Sequence, residues 1–228
     1  MSRLIFLDTE TTGLSAAEGD RVIEIGCVEM QDRRPTGRNF HAYLNPERES
    51  HPDALAIHGL TSDFLADKPL FASIAPQLLA YLDGADVYIH NADFDLGFLD
   101  AELARLKLPP LAQNLNSVHD TLAMAKTLYP GQQNNLNALC RRLDVDNSNR
   151  SLHGALLDAR LLADVYIGMT RGQNSLLGEG GSTEESSGSA RQNLSGIELP
   201  ILLANADELQ AHQQVLADIG KKATLVWS

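Results

Sequence analysis

The sequence predicts an α/β fold, a mixed sheet flanked by helices, continued by a flexible linker and a short C-terminal segment. Three observations carry this reading. Residues 3–9, 21–30 and 38–45 are short runs rich in Ile, Val, Phe and Leu, broken by Gly or polar clusters, and read as three successive antiparallel strands. Apolar residues then recur at helical spacing over about 71–82 and 95–106, on either side of the buried strand ADVYIHNA at 85–92. Strands first, then strands alternating with helices, fit one sheet with helices on its faces. Finally, ten of the nineteen residues from Gly178 to Gly196 are Gly or Ser, which is too little apolar surface for a core and suits a linker.

The remaining elements follow from punctuation. Pro130 and Gly131 separate a helix at about 119–128 from another at 135–143, and a last helix spans about 154–168. The chain therefore divides into a folded domain at 1–172, a linker at 173–196 and a C-terminal segment at 197–228. That segment has an apolar ELPILLA, a helix starting near Asp207 and a closing TLVWS, but is too short to support its own core.

Composition narrows the function classes. Hydrophobic residues make up 43% of the 228, enough for a sizeable core, while Lys+Arg 18 against Asp+Glu 30 leaves a net charge of -12. Affinity for a nucleic-acid backbone comes largely from Lys and Arg, so a chain this acidic does not grip such a backbone tightly on its own. Cys27 and Cys140 sit in apolar stretches without metal-ligand spacing and read as buried thiols in a reducing compartment. The N-terminus meets an acid after four apolar residues, and no apolar run approaches the roughly 18 of a membrane span. The expected location is the cytoplasm, with no membrane contact.

Acids in apolar places point to chemistry. Asp8 and Glu10 follow Leu4-Ile5-Phe6-Leu7, and side chains at i and i+2 share one face of a strand. Two adjacent carboxylates repel and lose solvation, a cost that an intervening cation offsets; a solvated strand end is the plainer alternative. Asp95 opens a helix with Phe98 and Leu99 as its i+3 and i+4 neighbours. It could cap that helix, but Asp93 is the more natural cap. Asp158 repeats the pattern against Leu161, Leu162 and Val165. His153 is about 140° away from it on an ideal helix, so it belongs to the preceding loop or first turn, from which it can swing toward the group that Asp158 faces.

Four carboxylates without a Cys or His cluster are hard oxygen ligands, which favour Mg²⁺ or Mn²⁺ over zinc. The chemistry that suits such a site with a nearby His is two-metal phosphoryl hydrolysis, with a neutral His taking the proton of the attacking water.

FLDTETTGL at 6–14, HNADFDLGFLD at 90–100 and HGALLDARLLADVY at 153–166 resemble the three motifs of the DnaQ-like, DEDD exonuclease superfamily. The spacing of His153 and Asp158 matches its histidine subgroup. The resemblance extends through VIEIGCVEM and HGLT into the tail. It implies a ribonuclease H-like fold and 3′→5′ exonuclease activity with two divalent cations, Mg²⁺ or Mn²⁺. Asp8, Glu10, Asp95 and Asp158 fall on the metal positions and His153 on the general base. His58 falls where the family contacts the terminal nucleotide, and Asp53 on a substrate-contacting acid that is usually Glu; Asp8, Glu10 and Asp158 also meet substrate. Asp93 stands where a small uncharged residue is usual.

The implied partners are DNA 3′ ends, single-stranded or frayed, and the catalytic subunit of a replicative polymerase, reached through the segment 197–228. QNSLL at 173–177 resembles a sliding-clamp-binding peptide, with Gly178 where a large residue is common. Some relatives also carry a small helper subunit. Proofreading of mispaired 3′ termini is the function that this resemblance implies. The alternatives are a 3′→5′ exoribonuclease and a catalytically silent polymerase-bridging subunit. The linker and docking segment weigh against the first, and the five expected catalytic side chains against the second.

Overall fold

Successive residues of the first strand feed different cores, and that alternation organises the molecule. The computed structural model describes residues 3–148, 150, 152–171, 210 and 212. Strands β1 (Leu4–Thr11), β2 (Val22–Gln31) and β3 (Arg34–Tyr43) form an antiparallel meander. Asp32 and Arg33, at φ 51° and 62°, make the tight β2–β3 turn, since two-residue hairpins favour positive φ at both positions. Strands β4 (Asp86–Ile89) and β5 (Ser117–Asp120) add in parallel on the other side of β1, for an order β3-β2-β1-β4-β5. This is the mixed sheet that the sequence predicts.

Seven helices belong to the same unit, Met1–Asn174: α1 (Pro52–His58), α2 (Ser62–Leu65), α3 (Phe71–Leu82), α4 (Ala92–Arg105), α5 (Thr121–Leu128), α6 (Leu136–Arg142) and α7 (Ala155–Met169). Ile5 and Leu7 of β1 join one core with Ile25, Val87, Leu78, Leu82, Leu99 and Leu103, which lies between the sheet and α3 and α4. Phe6, between them in sequence, joins Met30, Tyr88, Leu139, Leu162 and Val165 in a second core against α6 and α7. Each face of the sheet thus has its own layer of helix, and the period of two decides which side chain enters which layer.

Helix α7 approaches the sheet at Gly26. A Cβ there would stand 2.2 Å from the backbone of Ala155 and Leu156. Gly26 is the cross-strand partner of Asp8, so this close approach brings the start of α7 over the charged end of β1.

The structure departs from the sequence reading in a few places. Residues 117–120 pair with β4 instead of starting a helix, and Asp120 caps α5 by accepting from the amides of Leu122 (2.8 Å) and Ala123 (3.3 Å). Helices α1 and α2, at seven and four residues, are too short to show a helical period and were not anticipated. Asp93 is not the cap of α4: Asn91 occupies that position at φ 73°, and Asp93 sits exposed in the first turn. The linker, the peptide Gln173–Leu177 and the C-terminal segment lie outside the described residues, except Gln210 and His212, both helical. Among the described residues no helix is long and apolar enough to cross a membrane.

The Gly26 contact yields a stability prediction. Gly26→Ala sets a methyl group against immovable backbone and should cost about 3 kcal/mol or more in urea unfolding. Gly97→Ala, in α4 with nothing within 4 Å of the added methyl, should be neutral or stabilise by up to about 1 kcal/mol. Equal stabilities for the two variants would contradict the packing described.

Candidate active site

Asp8 and Glu10 share the strand face of Phe6 and so point toward α7, whose first turn carries the buried Asp158. Asp95 arrives differently. It is buried in the first turn of α4, which leaves the C-terminal end of β4, and β4 runs parallel beside β1. Three elements therefore bring acids to the C-terminal end of β1, with antiparallel neighbours on one side of the strand and parallel ones on the other. Open α/β sheets bind ligands where their connections diverge in this way. Thr9, on the opposite face of β1, donates its hydroxyl proton to Asp95 Oδ1 at 2.6 Å and fixes that carboxylate.

These residues open into a cleft of about 920 Å³. All seven site residues expected from sequence line it: Asp8, Glu10, Asp53, His58, Asp95, His153 and Asp158. Asp93 is not among the lining residues. The tightest grouping is Glu10, His153 and Asp158, with one potential ligand atom from each within 4.8 Å of the others. His153 lies in the loop just before α7, as the 140° offset requires, and its Nδ1 is 3.7 Å from Asp158 Oδ2.

The electrostatics show a shortage of positive charge. Burial, reinforced by Asp95, Asp158 and Glu10, holds the pKa of Asp8 well above the usual carboxylate range. Burial together with Asp158 and Glu24 pushes Glu10 up to about 8. Burial raises Asp95 to about 7 despite the bond from Thr9. Glu24 contributes because it is the direct cross-strand partner of Glu10, itself buried and bonded to His41 Nε2 at 2.7 Å. Clustered, buried oxygen donors of this kind fit a hard divalent cation. Glu10 and Asp158, with His153, bring ligand atoms close enough together to hold one, and Asp8 and Asp95 line the same cleft.

Arg150 is the site residue that sequence reasoning missed. Its Nε and Nη2 each donate to Asp158 at 2.5 Å, Nη1 donates to Asn137 Oδ1 at 2.7 Å, and Nη2 reaches His153 Nδ1 at 3.1 Å. One arginine thus holds both a candidate metal ligand and the candidate base. Burial and Arg150 together lower the pKa of His153, against the opposing pull of Asp158, so the imidazole is neutral at neutral pH. In DNSNRS nothing periodic marks this arginine; its place three residues before His153 is the only hint.

Two further features shape the cleft. The amide of Leu60 donates to His58 Nδ1 at 2.9 Å, which leaves the proton of neutral His58 on Nε2, a buried atom with no hydrogen-bond partner among the described residues. The loop after β1 is tied by Asp20, which accepts from the Thr12 hydroxyl (3.0 Å) and the Ser15 amide (3.1 Å), and Leu14 in that loop stays 85% exposed at the cleft. The loop of His153 is tied to α1 by the bond from the His153 amide to the Ile57 carbonyl at 3.1 Å.

A family profile described as "Exonuclease" matches residues 5–166. The chain belongs to the exonuclease family. It is 49% identical over 230 residues to the DNA polymerase III subunit epsilon of Pasteurella multocida, covering 97% of this chain and 91% of that one. Against the Escherichia coli K12 subunit of the same name it is 45% identical over 231 residues, covering 97% and 95%. Among solved structures, exonuclease X bound to 5′-overhanging duplex DNA superposes with a TM-score of 0.56 at 28% identity, over 74% of this chain and 90% of that one. E. coli exonuclease I with single-stranded DNA gives 0.65 at 21% identity, over 75% of this chain and 41% of that one, a likeness of fold.

The exonuclease's raised carboxylates predict how its stability depends on pH. Glu10 and Asp95 hold protons up to about 8 and about 7 in the folded state, against about 4 in the unfolded chain. Within that window the folded state binds more protons, so stability falls as pH rises through it. The thermal midpoint of metal-free protein should therefore drop between about pH 5 and pH 8, and saturating Mg²⁺ should flatten the trend by binding the ionised acids. A midpoint that rises across this range without metal would contradict the assignment.

Proposed function

We propose that this exonuclease is the proofreading subunit of a replicative DNA polymerase, removing mispaired nucleotides from DNA 3′ ends by two-metal hydrolysis. The observation that carries the reading is the convergence of Asp8, Glu10, Asp95, Asp158 and His153 in one cleft of an exonuclease-family chain. Its near full-length similarity to DNA polymerase III epsilon subunits supports the polymerase setting.

Each residue then has a task. Asp8, Glu10, Asp95 and Asp158 hold two divalent cations, Mg²⁺ or Mn²⁺, which when bound supply Lewis acidity and positive charge at the phosphate. His153 takes a proton from the attacking water, a role suited to an imidazole that is neutral at neutral pH. His58 offers its Nε2 proton to the terminal nucleotide, and Asp53, in the first turn of the same helix, α1, is the second contact to it. Leu14 and Ile57 offer apolar surface to the terminal base. Arg150 keeps Asp158 and His153 aligned until cation and substrate arrive. With a net charge of -12, selectivity rests on fraying: a mispaired end separates at less cost than a paired one.

The test is digestion of matched DNA and RNA oligonucleotides with and without divalent cation. Metal-dependent release of nucleotides from DNA 3′ ends, faster on mispaired than on paired termini, is expected. Asp8→Ala and Asp158→Ala should abolish it, and His153→Ala should lower turnover roughly 10²–10⁴-fold with metal binding largely kept. Near-normal cleavage by either Asp variant, or preferential cleavage of RNA, would overturn the reading.

The tail completes the proposal. The linker at 173–196 tethers the nuclease to a docking segment at 197–228, and QNSLL at 173–177 binds a sliding clamp. Leu209, Leu216 and Ile219 fall close to one helical stripe, with Trp227 near the end as an anchor. Tethering raises the effective concentration at the primer end without tight autonomous DNA binding. A chain ended after residue 178 should keep exonuclease activity and lose stable binding to the polymerase subunit, and Trp227→Ala should weaken that binding. Undiminished affinity of the truncated chain would put the docking surface on the nuclease domain instead.

A further inference from the structure

Among the described residues lining the cleft, two carry a permanent positive charge, Arg150 and Arg141. Arg150 is engaged with Asp158, Asn137 and His153. Arg141 is exposed, and no acid, carbonyl or ring holds it among the described residues. The contrast with its neighbour is direct. Arg142 donates to Asn134 Oδ1 (3.1 Å) and the Gln133 carbonyl (2.9 Å) and lies over the Tyr129 ring at 4.5 Å. Of two adjacent arginines at the end of α6, one is structural and the other faces the cleft unpaired.

Position makes that charge useful. Arg141 follows Asn137 by four residues, so both lie on one face of α6, while Leu136, Ala138, Leu139 and Cys140 are buried. Asn137 accepts the bond from Arg150 Nη1, so Arg141 stands about 6 Å of helix rise beyond a residue coupled to Asp158. The rest of the cleft is acidic, with Asp8, Glu10, Glu18, Asp20, Asp53, Asp95 and Asp158 in its lining. A polyanionic strand entering such a cleft needs a fixed cation to hold and orient it.

The chemistry of a 3′ end identifies which phosphate that is. The terminal nucleotide carries only the scissile phosphate, because its 3′ oxygen is a free hydroxyl. Any second phosphate in the cleft belongs to the penultimate nucleotide or to one further 5′. We propose that Arg141 binds the phosphate on the 5′ side of the scissile one and so acts as a strand-positioning residue. The assignment rests on the exonuclease reading above and adds the direction in which the strand leaves the site, along α6.

The experiment compares full-length wild type, Arg141→Gln and Arg141→Lys on three probes. The first is the nitrophenyl ester of thymidine 5′-phosphate, which has a scissile phosphate and no second one. The second is a single-stranded DNA oligonucleotide, and the third is the same oligonucleotide with a neutral methylphosphonate at the second linkage from its 3′ end. Arg141→Gln should leave ester hydrolysis unchanged and raise KM for the oligonucleotide about tenfold with little change in kcat. The slope of log kcat/KM against log salt should become shallower by about 0.7, and Arg141→Lys should restore most of the loss. On the methylphosphonate strand the wild type should lose the same factor, and Arg141→Gln nothing further.

Equal KM values for wild type and Arg141→Gln on the ordinary oligonucleotide would overturn the assignment. So would a matching loss on the ester, which would mark Arg141 as a support of the site itself. A wild type inactive on both the ester and the oligonucleotide would overturn the function first, a result distinct from an active wild type equalled by its variant.

Discussion

The structure depends on how closely one helix can lie on one sheet. Without a side chain at Gly26, the start of α7 settles against β2, and Gly26 is the residue paired across the strands with Asp8. That contact fixes where Asp158 and, through the loop before the helix, His153 can be. Moving α7 outward by the width of a methyl group would separate Asp158 from Glu10 before any catalytic residue was altered. The second core, from Phe6 to Val165, is what holds the helix down. Packing and chemistry are therefore one problem in this half of the molecule.

The same closeness creates the electrostatic load. Glu10 faces Glu24 across the sheet and Asp158 across the cleft, and Asp8 lies among three other acids. Burial and repulsion act in one direction, and Arg150 is the cation that moderates them. The protein carries this strain at a site where a bound divalent cation would relieve it, as is common for ligand-binding carboxylates. Arg150 also ties His153 to Asp158, so the placement of the loop carrying His153 and that of the first turn of α7 are not independent.

Much of this was legible in the sequence, for identifiable reasons. Asp8 and Glu10 stood out because they end an apolar strand with a period of two, and Asp95 and Asp158 because they interrupt apolar helical stripes. Each anomaly is a charged group where burial is costly, which is visible without coordinates. What could not be read was local and short. Four-residue β5 has no apolar run, and α1 and α2 span too few turns to show a period. The cap of α4 was misassigned to Asp93 because Asn91 takes a left-handed backbone, which composition does not reveal. Arg150 escaped because its significance lies in contacts with Asn137 and Asp158, made by folding rather than by spacing.

The alternation along β1 has a consequence for how the gene can vary. Phe6, Asp8 and Glu10 serve the α7 layer, while Ile5, Leu7 and Thr9 serve the layer of α3 and α4, with Thr9 holding Asp95 from the far side. A substitution at one position of the strand perturbs a single layer and leaves the register of the other intact. A single codon gained or lost between Leu4 and Asp8 cannot be absorbed that way, because it transposes the two layers downstream of it. Carboxylates would then enter the hydrophobic layer and leucine the reaction site. For this stretch of the gene, length is a stricter inheritance than composition.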